Sequence, residues 1–380
     1  MTVKNMLSFT LNPALQKQLQ ETHNLCIQAY AALNQLTPET RAYIEKHARI
    51  STLGASTRIE NALLTNPEID WIDTVLTTSS KHTAFAENQA LIKNKFAKDR
   101  ERSIEEVAGC RQMLLHIYQQ AEHMKPLKEI DIRALHSELM QPYLKESPYV
   151  GHYKIQPNSV VETNQLTGAT REVFKTADPG VITQVAMHEL VAWYNQAINN
   201  QAESLPVICE WVYRFLAIHP FQDGNGRLGR GLFLLALLQS HEIYLPYLAR
   251  YLSIDRQIEK HKEEYYFVLN ACSKGQYYQD PSDYKIDIFL RFMLKMITRA
   301  LDDITVYQQR YETTQTLSDN AFAVLTCFKE HPEIRLTTKM LLEYTDLPRR
   351  TLTYQLTLLT QKGLIQRYGT ASTARYQLVF

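Results

Sequence analysis

Residues 219–230 read "HPFQDGNGRLGR". They lie between "VYRFLAI" (212–218) and "LFLLALL" (232–238), two nearly apolar runs that predict deeply buried helices. The polar stretch is therefore a helix–helix junction on a rigid platform, and its polar groups need partners. Gly224 and Gly226 allow positive φ and close backbone approach. Their N–H groups open into a helix N-terminus, a nest that suits an anion. Asp223 offers a hard oxygen of the kind Mg²⁺ takes when it bridges phosphates. Arg227 and Arg230, three apart in the first turn, share a face and match phosphate oxygens in bidentate geometry. His219 is the one group in the stretch that can take a proton near neutral pH. Pro220 and Phe221 stiffen and anchor the loop. A capped loop with solvated charges would explain any one of these residues, but not the set.

The chain has 380 residues, 45% hydrophobic and 21% charged, with a net charge of +1. That is an ordinary globular composition with room for two or three domains. It gives no global field toward nucleic acid or membrane. The N-terminus lacks a basic region followed by an apolar core, and no apolar run approaches the ~20 residues of a membrane span. The five cysteines are scattered without CxxC spacing, which argues against a disulfide framework or zinc site. A reducing cytoplasm is the expected compartment.

Three- and four-residue apolar spacing predicts helices over most of the chain, including "TPETRAYIEKHAR" and "EIDIRALHSELMQ". At "SPYVGHYKIQPNSVVETNQLTGATREVFKTADPG" the pattern changes to alternation around turn residues. Val160–Glu162 and Arg171–Phe174 then read as the arms of a short hairpin. The boundaries expected are an N-terminal helical region 1–125, a core 126–305, a polar linker 306–317 and a compact unit 318–380. That last unit reads as three helices and two terminal strands, the order of a winged helix-turn-helix. Its eight Lys/Arg against five acids give +3. Its third helix begins "PRRTLTYQL", with Arg349, Arg350, Thr353 and Tyr354 near an exposed start.

"HPFQDGNGRLGR" resembles the Fic-domain signature, H-x-F-x-[D/E]-G-N-G-R-x-x-R, at each fixed position, and the resemblance extends from about Ile130 to Leu301. It implies a mainly α fold: a Fic-type helical core with a short β-hairpin flap, here followed by the winged helix-turn-helix. It also implies a nucleotidyltransferase, a protein adenylyltransferase that moves AMP from ATP to a Ser, Thr or Tyr hydroxyl. On this resemblance His219 is the base and Asp223 the Mg²⁺ ligand. Gly224, Asn225, Gly226, Arg227, Leu228, Gly229 and Arg230 bind ATP. Tyr265, with Tyr266 second, is the aromatic contact to the nucleotide base. Thr170, Arg171, Glu172 and Val173 belong to the flap that aligns the target. The intact glycine-asparagine-glycine pattern favours AMP transfer over the phosphorylating branch of the family.

A second stretch, "ASTRIENALL" (55–64), resembles the family's inhibitory pattern, [S/T]-x-x-x-E-[G/N], through Ser56, Glu60 and Asn61. On that resemblance Glu60 competes with phosphate for Arg230, and it also supports the reverse removal of AMP. The competing reading makes Thr57-x-x-Glu60 a capping box at a helix N-terminus. Expected partners are ATP, a target protein, the chain itself through self-modification, and a second copy in a homodimer. Alternatives are a nucleotide-sensing regulator that binds DNA through the winged helix, or transfer of a different nucleotide or phosphocholine moiety. No membrane partner is expected.

Overall fold

The computed structural model describes residues 6–78, 84–142, 149–163, 170–370 and 373–380. Helices α1 (Pro13–Asn34) and α2 (Pro38–Ile59) open the chain. Each starts at a proline behind an N-cap, Asn12 or Thr37, whose side chain accepts a backbone N–H. They are followed by α3 (Asn66–Thr78), α4 (Ala84–Lys95), α5 (Glu101–Gln120) and α6 (Glu129–Met140). Strands β1 (Ser159–Thr163) and β2 (Thr170–Lys175) pair antiparallel, with a bulge between Val160 and Val161.

Next come α7 (Val181–Asn200), α8 (Ser204–Ile218), α9 (Asn225–Gln239), α10 (Tyr244–Leu248), α11 (Ile254–Lys260), α12 (Lys262–Ala271) and α13 (Ile286–Gln315). The chain closes with α14 (Asp319–Glu330), β3 (Leu336–Thr337), α15 (Thr338–Thr345), α16 (Arg349–Gln361), β4 (Ile365–Tyr368) and β5 (Arg375–Leu378).

The chain is mainly helical, as its periodicity predicts. The centre of the first core is α8, in which every residue but Arg214 is buried. It packs against α9, and Gly229 of α9 makes that contact close: a Cβ there would come within 2.8 Å of Leu216. On the other side of α9, Gly231 admits Met113 of α5 in the same way. Apolar burial at about 1.5–3 kcal/mol per large side chain makes this junction rigid. Among the described residues no helix is long and apolar enough to cross a membrane.

The C-terminal residues have a hydrophobic core of their own, built from Val324, Leu325, Phe328, Leu341, Leu352, Leu356 and Leu359 among others. It is covered by a three-stranded antiparallel sheet in the order β3-β5-β4. The short β3 was not foreseen. The expected linker 306–317 is corrected: α13 runs unbroken to Gln315. Tyr307 explains why, since it is buried and its hydroxyl donates to Ser51 Oγ at 2.8 Å. Tyr311 packs against Tyr43. Tyrosines with apolar bodies carried the helix through a stretch that reads as polar.

Candidate functional site

α8 ends at His219, which adopts left-handed φ/ψ of 53° and 59°. The chain then turns back, and Phe221 buries its ring flat against His136, centroids 3.9 Å apart. Gly151 N–H donates to His136 Nδ1 at 3.0 Å, so the other ring nitrogen carries the proton and donates to Asp223 O at 3.0 Å. Burial pushes the His136 pKa down to about 4, consistent with that neutral tautomer. Asn225 closes the loop: its Oδ1 accepts from Phe221 N at 2.9 Å and its Nδ2 donates to Phe221 O at 2.7 Å. Gly224 sits at φ +80°, and a Cβ there would meet Met140 Sδ at 2.7 Å.

The loop forms one wall of a cavity of about 220 Å³. Its lining includes Glu60, His219, Asp223, Gly224, Arg227 and Arg230. His219 Nδ1 lies 3.2 Å from Leu216 O. Donation there leaves Nε2 as the basic nitrogen. Burial, and then the charge of Lys154, push the His219 pKa down to about 4. His219 is thus a neutral imidazole at physiological pH.

Lys154 was missed in the sequence. It is buried, and its Nζ donates to Asn158 Oδ1 at 2.9 Å, Thr176 Oγ1 at 2.9 Å and Ile218 O at 3.0 Å. Burial lowers its pKa to about 7. Asn158 immediately precedes β1, Thr176 immediately follows β2, and Ile218 immediately precedes His219. One ammonium group therefore ties both feet of the hairpin to the peptide that holds the histidine. Asn158 Nδ2 adds a bond to Phe221 O at 2.7 Å. No sequence signal marks such a residue, because lysine is ordinarily solvated.

Glu60 enters the cavity from α2. Its Oε1 accepts from Arg230 Nη2 at 2.9 Å. Ser56, one turn earlier, accepts from Arg230 Nε with Oγ at 3.0 Å and from Nη2 with its carbonyl at 2.8 Å. Asp255 of α11 lies 3.7 Å from Nε on the same guanidinium. Although a third of the Glu60 side chain is accessible, its carboxyl is packed among these groups. Burial alone would raise its pKa, but Arg230 and then Arg227 outweigh it and hold it below the ordinary value. For Arg230 burial is likewise outweighed, by Glu60 and then Asp255, so the guanidinium stays firmly charged.

The capping-box reading of Thr57-x-x-Glu60 is overturned. Glu60 is the C-cap of α2, at the end of the helix rather than its start. Thr57 Oγ1 bonds back to Leu53 O and Gly54 O, each at 3.0 Å. A carboxylate at a helix C-terminus opposes the helix dipole by about 0.3–1 kcal/mol, so its placement relies on Arg230. Asn61 follows at φ 72°, a conformation open to glycine and asparagine but not to most residues. That accounts physically for the last position of the pattern. Arg58 anchors the segment to Glu259 of α11 at 2.6 Å, and Lys262 Nζ donates to Asn61 Oδ1 at 3.2 Å.

Other expected residues separate. Gly226 lines the cavity, and a Cβ there would come within 2.4 Å of Glu60 Oε1. Arg227 is buried with Nη2 3.6 Å from Asp223 Oδ1, whose side chain is half exposed. Tyr265 and Tyr266 both line the cavity. Leu228 and Gly229 are corrected: Leu228 is buried in the main core and Gly229 faces Leu216, so neither reaches the cavity. Asn225 contributes backbone only, because its amide is taken by Phe221. The hairpin tip, 164–169, and the side chains of Thr170, Arg171 and Val173 lie outside the described residues. Glu172 is exposed. Among the described residues no three His, Cys, Asp or Glu converge as a metal cage.

Comparison with known proteins bears on this geometry. The family model for the Fic/DOC family matches residues 126–237. A Fic family protein from Desulfovibrio desulfuricans G20 has a similar fold, with TM-score 0.55, 23% identity and 98% of each chain covered. A Fic domain containing signaling protein from Bacteroides thetaiotaomicron VPI-5482 gives TM-score 0.55 at 22% identity, over 76% of this chain and 98% of that one. Fic-1 (aa134–508) from C. elegans gives TM-score 0.52 at 14% identity, over 78% of this chain and 73% of that one.

Proposed function

We propose, on the premise that residues 126–237 form a Fic/DOC family domain, that this chain is a protein adenylyltransferase held off by its own Glu60. The family is generally engaged in nucleotidyl transfer. The observation that carries the finer reading is the 2.9 Å pair between Glu60 and Arg230, set in the same cavity as a neutral His219.

In the forward reaction a target hydroxyl oxygen attacks the α-phosphorus of ATP. The bond from that phosphorus to the bridging oxygen breaks and pyrophosphate leaves. The hydroxyl proton passes to His219 Nε2, which is free to accept it because Nδ1 is committed to Leu216 O. Backbone N–H groups of Asn225 and Gly226 at the start of α9 would face the phosphate charge, while Gly224 N–H donates to Asp223 Oδ1 at 2.5 Å. Arg227 and Arg230 supply guanidinium groups for the remaining oxygens. The half-exposed carboxylate of Asp223 would hold Mg²⁺. When bound it would neutralise phosphate charge. Tyr265 and Tyr266 offer ring surface for the nucleotide base.

Glu60 opposes this arrangement electrostatically and sterically. A carboxylate and a γ-phosphate compete for the same guanidinium fork, and only one can hold it. Glu60→Gly should raise AMP incorporation from labelled ATP, self-modification included, by at least about tenfold, the equivalent of one 1.4 kcal/mol interaction. Equal labelling of wild type and variant would sink the inhibitory assignment. His219→Ala in the Glu60→Gly background should abolish labelling with ATP binding retained. Persistent labelling would remove His219 from the mechanism.

A further inference from the structure

From Leu347 to Phe380 the chain carries Arg349, Arg350, Lys362, Arg367 and Arg375 and no acid, within a chain whose net charge is +1. α16 has two distinct faces. Leu352, Gln355, Leu356 and Leu359 are buried in the C-terminal core. Arg349, Arg350, Thr353, Tyr354 and Thr357 are exposed, Tyr354 to 65%. Their three- and four-residue spacing makes one continuous stripe, and no other part of the described chain covers it. The neighbouring hairpin adds the same sign of charge. Arg367 of β4 and Arg375 of β5 are exposed, and Arg335 lies over the Tyr368 ring at 3.8 Å.

None of the acids of this unit lies on α16, β4 or β5. Glu333 is paired with Lys95 of α4 at 3.2 Å, and Asp319 and Glu330 mark the two ends of α14. Glu343 belongs to α15, and Asp346 forms the left-handed turn that leads out of it.

We infer that the C-terminal unit binds double-stranded DNA, with α16 in the major groove and the β4–β5 hairpin on the flanking backbone. A helix of 13 residues is about 20 Å long and enters a groove about 12 Å wide. The arginines at its leading end suit phosphate oxygens and guanine edges. The major groove of duplex RNA is too deep and narrow for such a helix, which selects DNA. Arginine and tyrosine also occur at protein interfaces, so it is the run of five basic residues without an acid, shared by α16 and the hairpin, that selects a polyanion. None of these residues lines the cavity beside His219, so the two surfaces share no residue.

The test is fluorescence anisotropy of a labelled mixed-sequence DNA duplex titrated with the full chain, starting at about 50 mM salt and repeated as salt is raised. Saturable binding in the micromolar range is expected, weaker to a duplex RNA of the same sequence. Arg349→Ala/Arg350→Ala should weaken it and flatten the log–log salt slope by about 2, with an unchanged thermal melt. Arg367→Ala/Arg375→Ala should weaken it as a second, separate variant. The inference is overturned by no anisotropy change at micromolar protein, by binding indifferent to both double variants, or by equal binding to duplex RNA. Capture of an acidic protein through α16 without DNA binding would also overturn it.

Discussion

Glu60 Oε1 and Arg230 Nη2 are 2.9 Å apart although 170 residues separate them in the chain. The guanidinium does not depend on Glu60 alone, because Ser56 and Asp255 hold it from other directions. When Glu60 withdraws, Arg230 therefore stays in place at the cavity wall. On the proposed reading, inhibition would amount to occupation of one fork rather than distortion of the site.

Ser56 is the first place to test this. Its hydroxyl accepts from Arg230 Nε, and its loss removes a bond to a charged group worth about 1.5–3 kcal/mol. Ser56→Ala should raise AMP labelling severalfold in the otherwise wild-type chain. In the Glu60→Gly background the same change should lower labelling instead, because Ser56 then serves only to hold Arg230 at the cavity wall. Additive effects measured by labelled-ATP incorporation would separate Ser56 from the inhibitory pair.

Asn61 tests the backbone. At φ 72° a β-branched side chain is strained by about 1–3 kcal/mol, while glycine is not. Asn61→Gly should keep inhibition although it loses the contact with Lys262. Asn61→Val should shift Glu60 and raise labelling. Tight inhibition in the valine variant would show that the turn does not position the carboxylate.

The acid limb of activity tests His219 and Lys154 together. A general base works while unprotonated, so a pKa lowered to about 4 keeps it competent as pH falls well below the ordinary histidine value of about 6.5. In Glu60→Gly protein the rate should be flat in His219 from pH 8 to about pH 5 and fall below that. Lys154→Met removes a positive charge that depresses this pKa, so the limb should move upward. It also removes the one donor shared by Asn158, Thr176 and Ile218, and the misplaced histidine should cost about tenfold or more in turnover. ATP affinity should hold, since Lys154 does not line the cavity. A limb near 6.5 in the parent, or one unmoved by Lys154→Met, would refute this account.

Much of the site was legible because its signals are local. Two apolar runs around a twelve-residue loop fix a buried junction, and Gly224, Asp223 and Arg227 lie within a few residues of one another. The hairpin is equally local, since alternation and a turn suffice to form it. Short-range pattern failed where side-chain packing decided the outcome. The segment before residue 318 looked like a linker because Tyr307 and Tyr311 count as polar in a tally while packing as apolar rings. Leu228 and Gly229 lie inside the signature, yet helix periodicity turns them toward α8.

By itself the sequence determined the helical class, the rigid junction and the chemical repertoire of residues 219–230. These depend on periodicity and on groups adjacent in the chain. The tertiary structure alone decided that Glu60 ends a helix instead of starting one, that it meets Arg230, and that Lys154 lies buried beneath His219. The physical reason is that the placement and protonation of a buried charge are set by partners from distant segments, here α2, α9, α11 and the feet of the hairpin.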